Sequence, residues 1–264
     1  MKRKLIAVPY YVWAAIFIVV PLMMIAYSAF TDAHGAFTVE NILQIRKYGT
    51  VLLRSLSYAL IATGVCLLFG YILAYCMAQQ SESAKNVLMI LLMLPMWINF
   101  VLRTQAMQDM INLFQLYMEN NGLNIKVSST GFAVVLGLVY NYLPFMVLPI
   151  FTSLEKMDHR VIEAAEDLGA NRWNVFRRVI LPLSMPGVGS GIIMVFVPTV
   201  STFVILEKLG GAKYNLIGNV IQEQFLVVYN PNVGAAIRLV MLILILFILV
   251  IFSFLDDETK EGLL

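Results

Sequence analysis

Charge is scarce in this sequence. Asp, Glu, Lys and Arg make up 13% of its 264 residues, where a soluble globular domain carries about a quarter. Water-facing surface on that scale is therefore excluded. The 18 basic and 16 acidic residues nearly cancel, so the basic face that nucleic acid requires is missing too. Histidine and cysteine number two each. His34 and His159 are far apart in sequence, and Cys66 and Cys76 share one apolar stretch, so all four argue against a metal site or disulfide. The cysteines read as small buried hydrophobes. No G-x-x-x-x-G-K-[ST] phosphate loop occurs, which excludes ATP hydrolysis by that route. No period of 20 to 50 residues recurs, and no low-complexity linker divides the chain, which argues for a single membrane domain.

What fills the sequence instead is apolar: 60% of residues are hydrophobic and the mean hydropathy is +0.83. A bilayer core of about 30 Å takes about 20 apolar residues per helix. Six stretches qualify, at roughly 7–30, 51–78, 86–106, 131–153, 186–206 and 233–255. The first follows Met-Lys-Arg-Lys as a signal peptide would. It is too long for one and lacks a small-residue cleavage site, so it reads as a retained span. An even number of spans puts both termini on one side. Clustered cations choose the cytoplasm: Lys2, Arg3 and Lys4 at the start, and Lys156, Arg160, Arg172, Arg177 and Arg178 between spans four and five. With Lys85 and Lys260 the cytoplasmic side holds ten basic residues against eight elsewhere, so clustering rather than the total sets the orientation.

Several spans carry features beyond hydropathy. Gly70, Ala74 and Ala78 form a small-residue ridge for close helix packing. Pro95, Trp97 and Asn99 interrupt the third span, a break tolerated where backbone is buried in protein or lines a cavity. Arg103 to Asn120 then reads as an amphipathic helix at the outer interface. Tyr140, Asn141, Tyr142, Pro144 and Pro149 make the fourth span too polar to face lipid alone. Pro198 in the fifth is flanked by hydroxyls that can bond the backbone it frees. Leu216 to Leu226 is a short amphipathic helix. The sixth span is apolar apart from Arg238, placed to reach headgroups, and is expected to face lipid.

The longest polar passage runs from Asp158 to Gly187. It reads as two short helices and a turn. Asp158 caps the first, Gly169 ends it in the left-handed conformation, Asn171 caps the second and Pro182 stops that one. The order Glu163-Ala164-Ala165, three residues, Gly169, nine residues, Val179-Ile180-Leu181-Pro182 resembles the EAA loop of the inner-membrane permeases of binding-protein-dependent ABC importers. A solvated loop with two amphipathic helices is the plainer reading of the same stretch.

The resemblance extends along the chain. RSLSYALIAT (54–63), GLVY (137–140), LPFMV (143–147), SLEKMD (153–158), GGAK (210–213) and LIGNVI (216–221) are similar to the first-permease family of spermidine/putrescine importers. That resemblance implies an all-α integral membrane protein with six transmembrane helices in the MetI-like permease fold. Its parts are a first helix and outer connection (1–50), a permease core (51–255) and an acidic cytoplasmic tail (256–264). The implied location is the cytoplasmic (inner) membrane of a bacterium, with both termini cytoplasmic. The implied partners are a homologous second permease, two cytoplasmic ATP-binding cassette subunits, an extracytoplasmic polyamine-binding protein, the polyamine itself and membrane lipid. ATP and magnesium belong to the ATPase, which leaves this chain a transport subunit without cofactor or catalysis of its own.

In the family the loop is the coupling element. Glu163 is expected to pair with a basic residue of the ATPase, Ala164 and Ala165 to allow close approach, Leu168 to fill an apolar pocket and Gly169 to make the bend. For Glu163 the competing reading is a solvated helix charge worth under about 1 kcal/mol. A polyamine path should offer ring faces, carbonyls and carboxylates. Trp97, Tyr140 and Tyr142 are candidates for rings and Asn99 for a carbonyl. Glu207 matches an acidic position in the family, although pairing with Lys208 or Lys213 would explain it equally well. Arg238 departs from the family's small polar residue, and an inward Arg238 would disfavour a cation. Sister importers for ferric iron, sulfate or phosphonate share the EAA loop and form the alternative. An ion-coupled secondary carrier would show inverted repeats and intramembrane charges for coupling ions, and a membrane enzyme clustered His, Asp or Glu at one depth; the sequence shows neither pattern.

Overall fold

A computed structural model describes residues 8–32, 34–123, 126–211 and 214–261. Lys2, Arg3, Lys4, Lys213 and the last three positions of the acidic tail lie outside the described residues. The described chain is helical: α1 (Pro9–Ala29), α2 (Glu40–Ala78), α3 (Glu82–Trp97), α4 (Phe100–Asn120), α5 (Gly131–Glu155), α6 (His159–Asp167), α7 (Arg172–Ser201), α8 (Val204–Leu209), α9 (Ile217–Leu226) and α10 (Pro231–Glu261). Among the described residues, α1, α2, α5, α7 and α10 are each long and apolar enough to cross a membrane. The bent pair α3 and α4 makes a sixth crossing if counted as one span.

The fourth span, α5, is the centre of the bundle, as its polar content foretells. It packs against α2 on one side and α7 on the other, and 56% of its most apolar window is buried, against 6% for α1. The small residues of α2 make the first contact. Ala62, Cys66 and Ala74 are fully buried, and a Cβ at Gly70 would come within 2.8 Å of the Met146 side chain on α5. Cys76 departs from the expectation. It is exposed, because ten residues at 100° each turn it well away from the face that Cys66 shares with α5. α1 leans on α10. The end of α1 is tied to the start of α2 by Asn41, whose buried Nδ2 donates to the carbonyls of Ala29 (3.2 Å) and Thr31 (2.8 Å). Just outside the membrane span, Asp32 Oδ1 accepts the Ala36 and His34 N–H groups, and these bonds hold its carboxyl below the ordinary range.

Two spans differ from the sequence reading. The third does not run straight through 86–106. α3 and α4 meet at 93°, with Ile98 in extended conformation and Asn99 Oδ1 capping α4 by accepting the Val101 N–H at 2.9 Å. Pro95 cannot donate its backbone nitrogen, and an Asn four residues after it starts a new helix more readily than it continues the old one. The amphipathic helix thus begins at Phe100, not Arg103. Only part of its stripe is covered: Ile111 is buried, whereas Met110 and Tyr117 are exposed.

The second difference concerns Pro182, which does not stop a helix. Phe176–Ile180 widens into a π turn in which the Leu181 N–H donates to the Phe176 carbonyl, and the helix continues to Ser201. The wider turn makes room for the proline ring that a regular turn would exclude. α1 uses the same device ahead of Pro21, with a π turn over Ala15–Val19 closed by the Val20 N–H. The fifth span therefore starts in the polar loop and ends at Ser201, five residues short of the expected end. Thr199 and Ser201 hydroxyls donate to the Val195 (2.6 Å) and Val197 (3.2 Å) carbonyls beside Pro198.

Candidate functional site

Two places carry the residues singled out from the sequence. The first is the loop between α5 and α7. Asp158 Oδ1 accepts the Arg160 N–H (3.0 Å) and Asn171 Oδ1 the Asn174 N–H (2.8 Å), so both helices start where their caps predict. Gly169 has φ +84°, a conformation in which any Cβ is strained. Its N–H donates to the Glu166 carbonyl at 2.8 Å and the Ala170 N–H to Ala165 at 3.1 Å, closing the end of α6.

Within this frame Ile162 and Ala165 turn towards the bundle, while Glu163, Ala164 and Gly169 are exposed. Leu168 is 89% exposed, and Val161 and Trp173 are also uncovered. An apolar stripe bordered by a carboxylate and by the cations Lys156, Arg160, Arg177 and Arg178, all exposed, is suited to docking another protein. A cleft of about 540 Å³ separates α6 from the end of α2, with Tyr75 and Gln79 on one wall and Ile162 and Glu166 on the other.

The second half of the loop, from Arg172, is itself the start of α7. Phe176, at the start of the π turn, meets Tyr71 and Tyr75 of α2 edge-on, with ring centroids 5.9 and 5.5 Å away, and stacks near Trp173 at 5.8 Å. Tyr71 and Ser184 hydroxyls are 2.9 Å apart. The start of α7 is thus packed directly on α2.

The second place is the α3–α4 break and the face of α5 beside it. Trp97 is 79% exposed, and Asn99 is exposed with its carbonyl engaged as a cap. Tyr140 is half-exposed, but Tyr142 is buried. Two positions apart on a helix, these rings point about 200° from one another and cannot line one surface. Glu207 is exposed on α8, which packs against α4 and α5. It makes no ion pair with Lys208; the single ion pair among the described residues joins Lys85 and Glu82 at 2.8 Å. The elements bearing the five residues converge, whereas their side chains do not form one cluster.

Arg103 holds this second place together, a role that its reading as the first residue of an amphipathic interfacial helix did not anticipate. It is only 6% exposed. Nε donates to Asn141 Oδ1 at 2.8 Å, Nη1 to the Pro95 carbonyl at 3.1 Å and Nη2 to the Asn141 carbonyl at 3.5 Å. The guanidinium lies 5.6 Å from the Tyr140 ring, so one face of that ring already meets a cation. Asn141 completes the set by donating Nδ2 to the Gly137 carbonyl at 2.8 Å. The Pro95 carbonyl accepts the Ile98 N–H (3.2 Å) as well as Arg103, and nothing local in the sequence marks the pairing of Arg103 with Asn141.

Comparison with known proteins places this architecture. The spermidine/putrescine transport system permease protein PotB of Haemophilus influenzae is 36% identical over 253 residues, covering 89% of this chain and 88% of that protein. The protein of the same name from Escherichia coli K12 is 36% identical over 254 residues, covering 91% and 92%. In structure, a chain of a bacterial ABC transporter involved in the import of the acidic polysaccharide alginate superposes with a TM-score of 0.73, covering 97% of this chain and 95% of that one at 14% identity. That likeness shows a shared fold. Residues 66–260 match the family described as the binding-protein-dependent transport system inner membrane component, and the chain belongs to that family.

Proposed function

We propose that this chain is the transmembrane permease subunit of an ATP-driven importer for polyamines, forming the translocation path with a second, homologous permease. The observation that carries the substrate class is the 36% identity to spermidine/putrescine permeases across about nine-tenths of both chains. The exposed Leu168 and Glu163 on a loop continuous with α7 support the coupling. Two cytoplasmic ATPase subunits, which bind ATP and magnesium, dock on Glu163, Ala164, Ala165, Leu168 and Gly169. Their closure rotates α7 against α5 and α2 and opens the path. An extracytoplasmic binding protein delivers the polyamine at the opposite end, where α8 and Glu207 lie. The loop and both termini face the cytoplasm, where its exposed cations belong.

The test is ATPase stimulation of the reconstituted complex by binding proteins loaded with spermidine, putrescine, sulfate or ferric iron. Stimulation by the polyamine-loaded proteins is expected. Stimulation only by the sulfate- or iron-loaded protein would replace the substrate class and leave the transport role intact.

A further inference from the structure

At the end of the bundle opposite the coupling loop, α1, α9 and α10 enclose an apolar cleft of about 620 Å³. Leu22 and Ile25 form one wall, Ile221 and Phe225 the second, Met241 and Leu242 the third. One cation enters it. Arg238 is the single charged residue between Pro231 and Leu255, within a span of mean hydropathy 2.9. Its guanidinium stacks on the Phe225 ring, 4.4 Å from the centroid.

A guanidinium in the apolar zone must find an anion or water, since its isolated charge costs several kcal/mol there. Among the described residues no carboxylate pairs with Arg238. A guanidinium over a ring still has N–H groups to donate, and their fork matches phosphate oxygens in bidentate fashion. Gln222 and Ser201 are the other polar residues at the cleft. Phe203 apart, the rest is apolar or small helix surface, which suits an acyl chain.

We propose that this cleft is a binding site for an anionic phospholipid, with the phosphate at the Arg238 guanidinium and an acyl chain between α1, α9 and α10. Charge complementarity selects the class: a single unpaired cation at the rim of an apolar cleft favours a headgroup of net negative charge over a zwitterion, whose ammonium the arginine repels. The lipid would tie α1, which is otherwise held mainly by α10, to α9. Arg238 then faces lipid and leaves the polyamine path free of a repelling cation.

The test uses the chain purified together with the subunits it assembles with, delipidated and then supplied with equal mole fractions of phosphatidylglycerol and phosphatidylethanolamine. Native mass spectrometry counts the lipid retained. Wild type is expected to retain phosphatidylglycerol in preference, with Arg238→Gln weakening retention about tenfold, the effect of losing one charge-assisted contact. Arg238→Lys should keep most of it. Leu242→Trp, which fills the cleft and leaves the charge, should lose it. Co-purification with the partner subunits checks assembly of each variant, and the wild-type preference decides the matter where a variant fails to assemble. Equal retention of both lipids by wild type, unchanged retention in Arg238→Gln, or no retained lipid because the second permease covers the cleft would each overturn the proposal.

Discussion

Arg103 is 6% exposed and donates to one side-chain oxygen and two backbone carbonyls, none of them a carboxylate. The arrangement is sensitive to which partner is removed. Asn141→Leu leaves the guanidinium buried with an acceptor lost and is expected to destabilise the protein by about 3 kcal/mol. Arg103→Met removes the charge together with its demand for acceptors and should cost less, about 1 to 3 kcal/mol from the unpaired Asn141. In the double variant both demands vanish, so the losses should be clearly less than additive. Thermal unfolding of the four proteins in detergent measures this, and additive losses would show that the two side chains are not coupled. This pair could not be read from sequence, because 38 residues separate its members and only the 93° break brings them together. The caps Asp158 and Asn171 and the left-handed Gly169 could be read, because their bonds are made within a few residues of the chain.

Among elements, the contact of α7 with α5 depends on small residues in the loop-proximal half of α7. A Cβ at Gly187 would sit 2.6 Å from the Pro149 carbonyl oxygen, a backbone atom that cannot swing aside, whereas one at Gly189 would meet nothing within 4 Å. Gly187→Ala should therefore destabilise by about 1 to 3 kcal/mol through overpacking, and Gly189→Ala should be neutral or stabilise by up to about 1 kcal/mol through helix propensity. Unfolding midpoints of the two variants, side by side, separate packing from propensity; equal effects would remove the close-approach role. The π turns ahead of Pro21 and Pro182 belong at this scale too. A proline in a helical sequence announces a stop, yet in both helices one widened turn absorbs the ring and the helix continues. At Phe176 the widened turn packs against Tyr71 and Tyr75, whereas in α1 it has no buried residue and the helix continues all the same.

For the whole molecule, the proposed coupling uses an exposed carboxylate on α6, which a short turn at Gly169 joins to α7. Glu163→Gln keeps size and loses charge, so docking of the ATPase should weaken about tenfold, the equivalent of one charge-assisted bond. Co-purification and substrate-stimulated ATP hydrolysis would report it, and normal values in both would leave Glu163 a solvated charge. Glu207→Gln, at the opposite end, is expected to reduce polyamine uptake while the complex stays assembled; unchanged uptake with intact assembly would remove Glu207 from the path. By itself the sequence determined the membrane class, the apolar runs, the capped loop between spans four and five and the family resemblance, since hydropathy and capping are set by residues near one another in the chain. The tertiary structure alone decided the right-angle break of the third span, the unbroken helix through Pro182, the burial of Tyr142 against the exposure of Trp97, and the Arg238 cleft. Each of these depends on which distant helix supplies a hydrogen-bond acceptor, a ring or a wall, and pairings of that kind are fixed by packing in three dimensions.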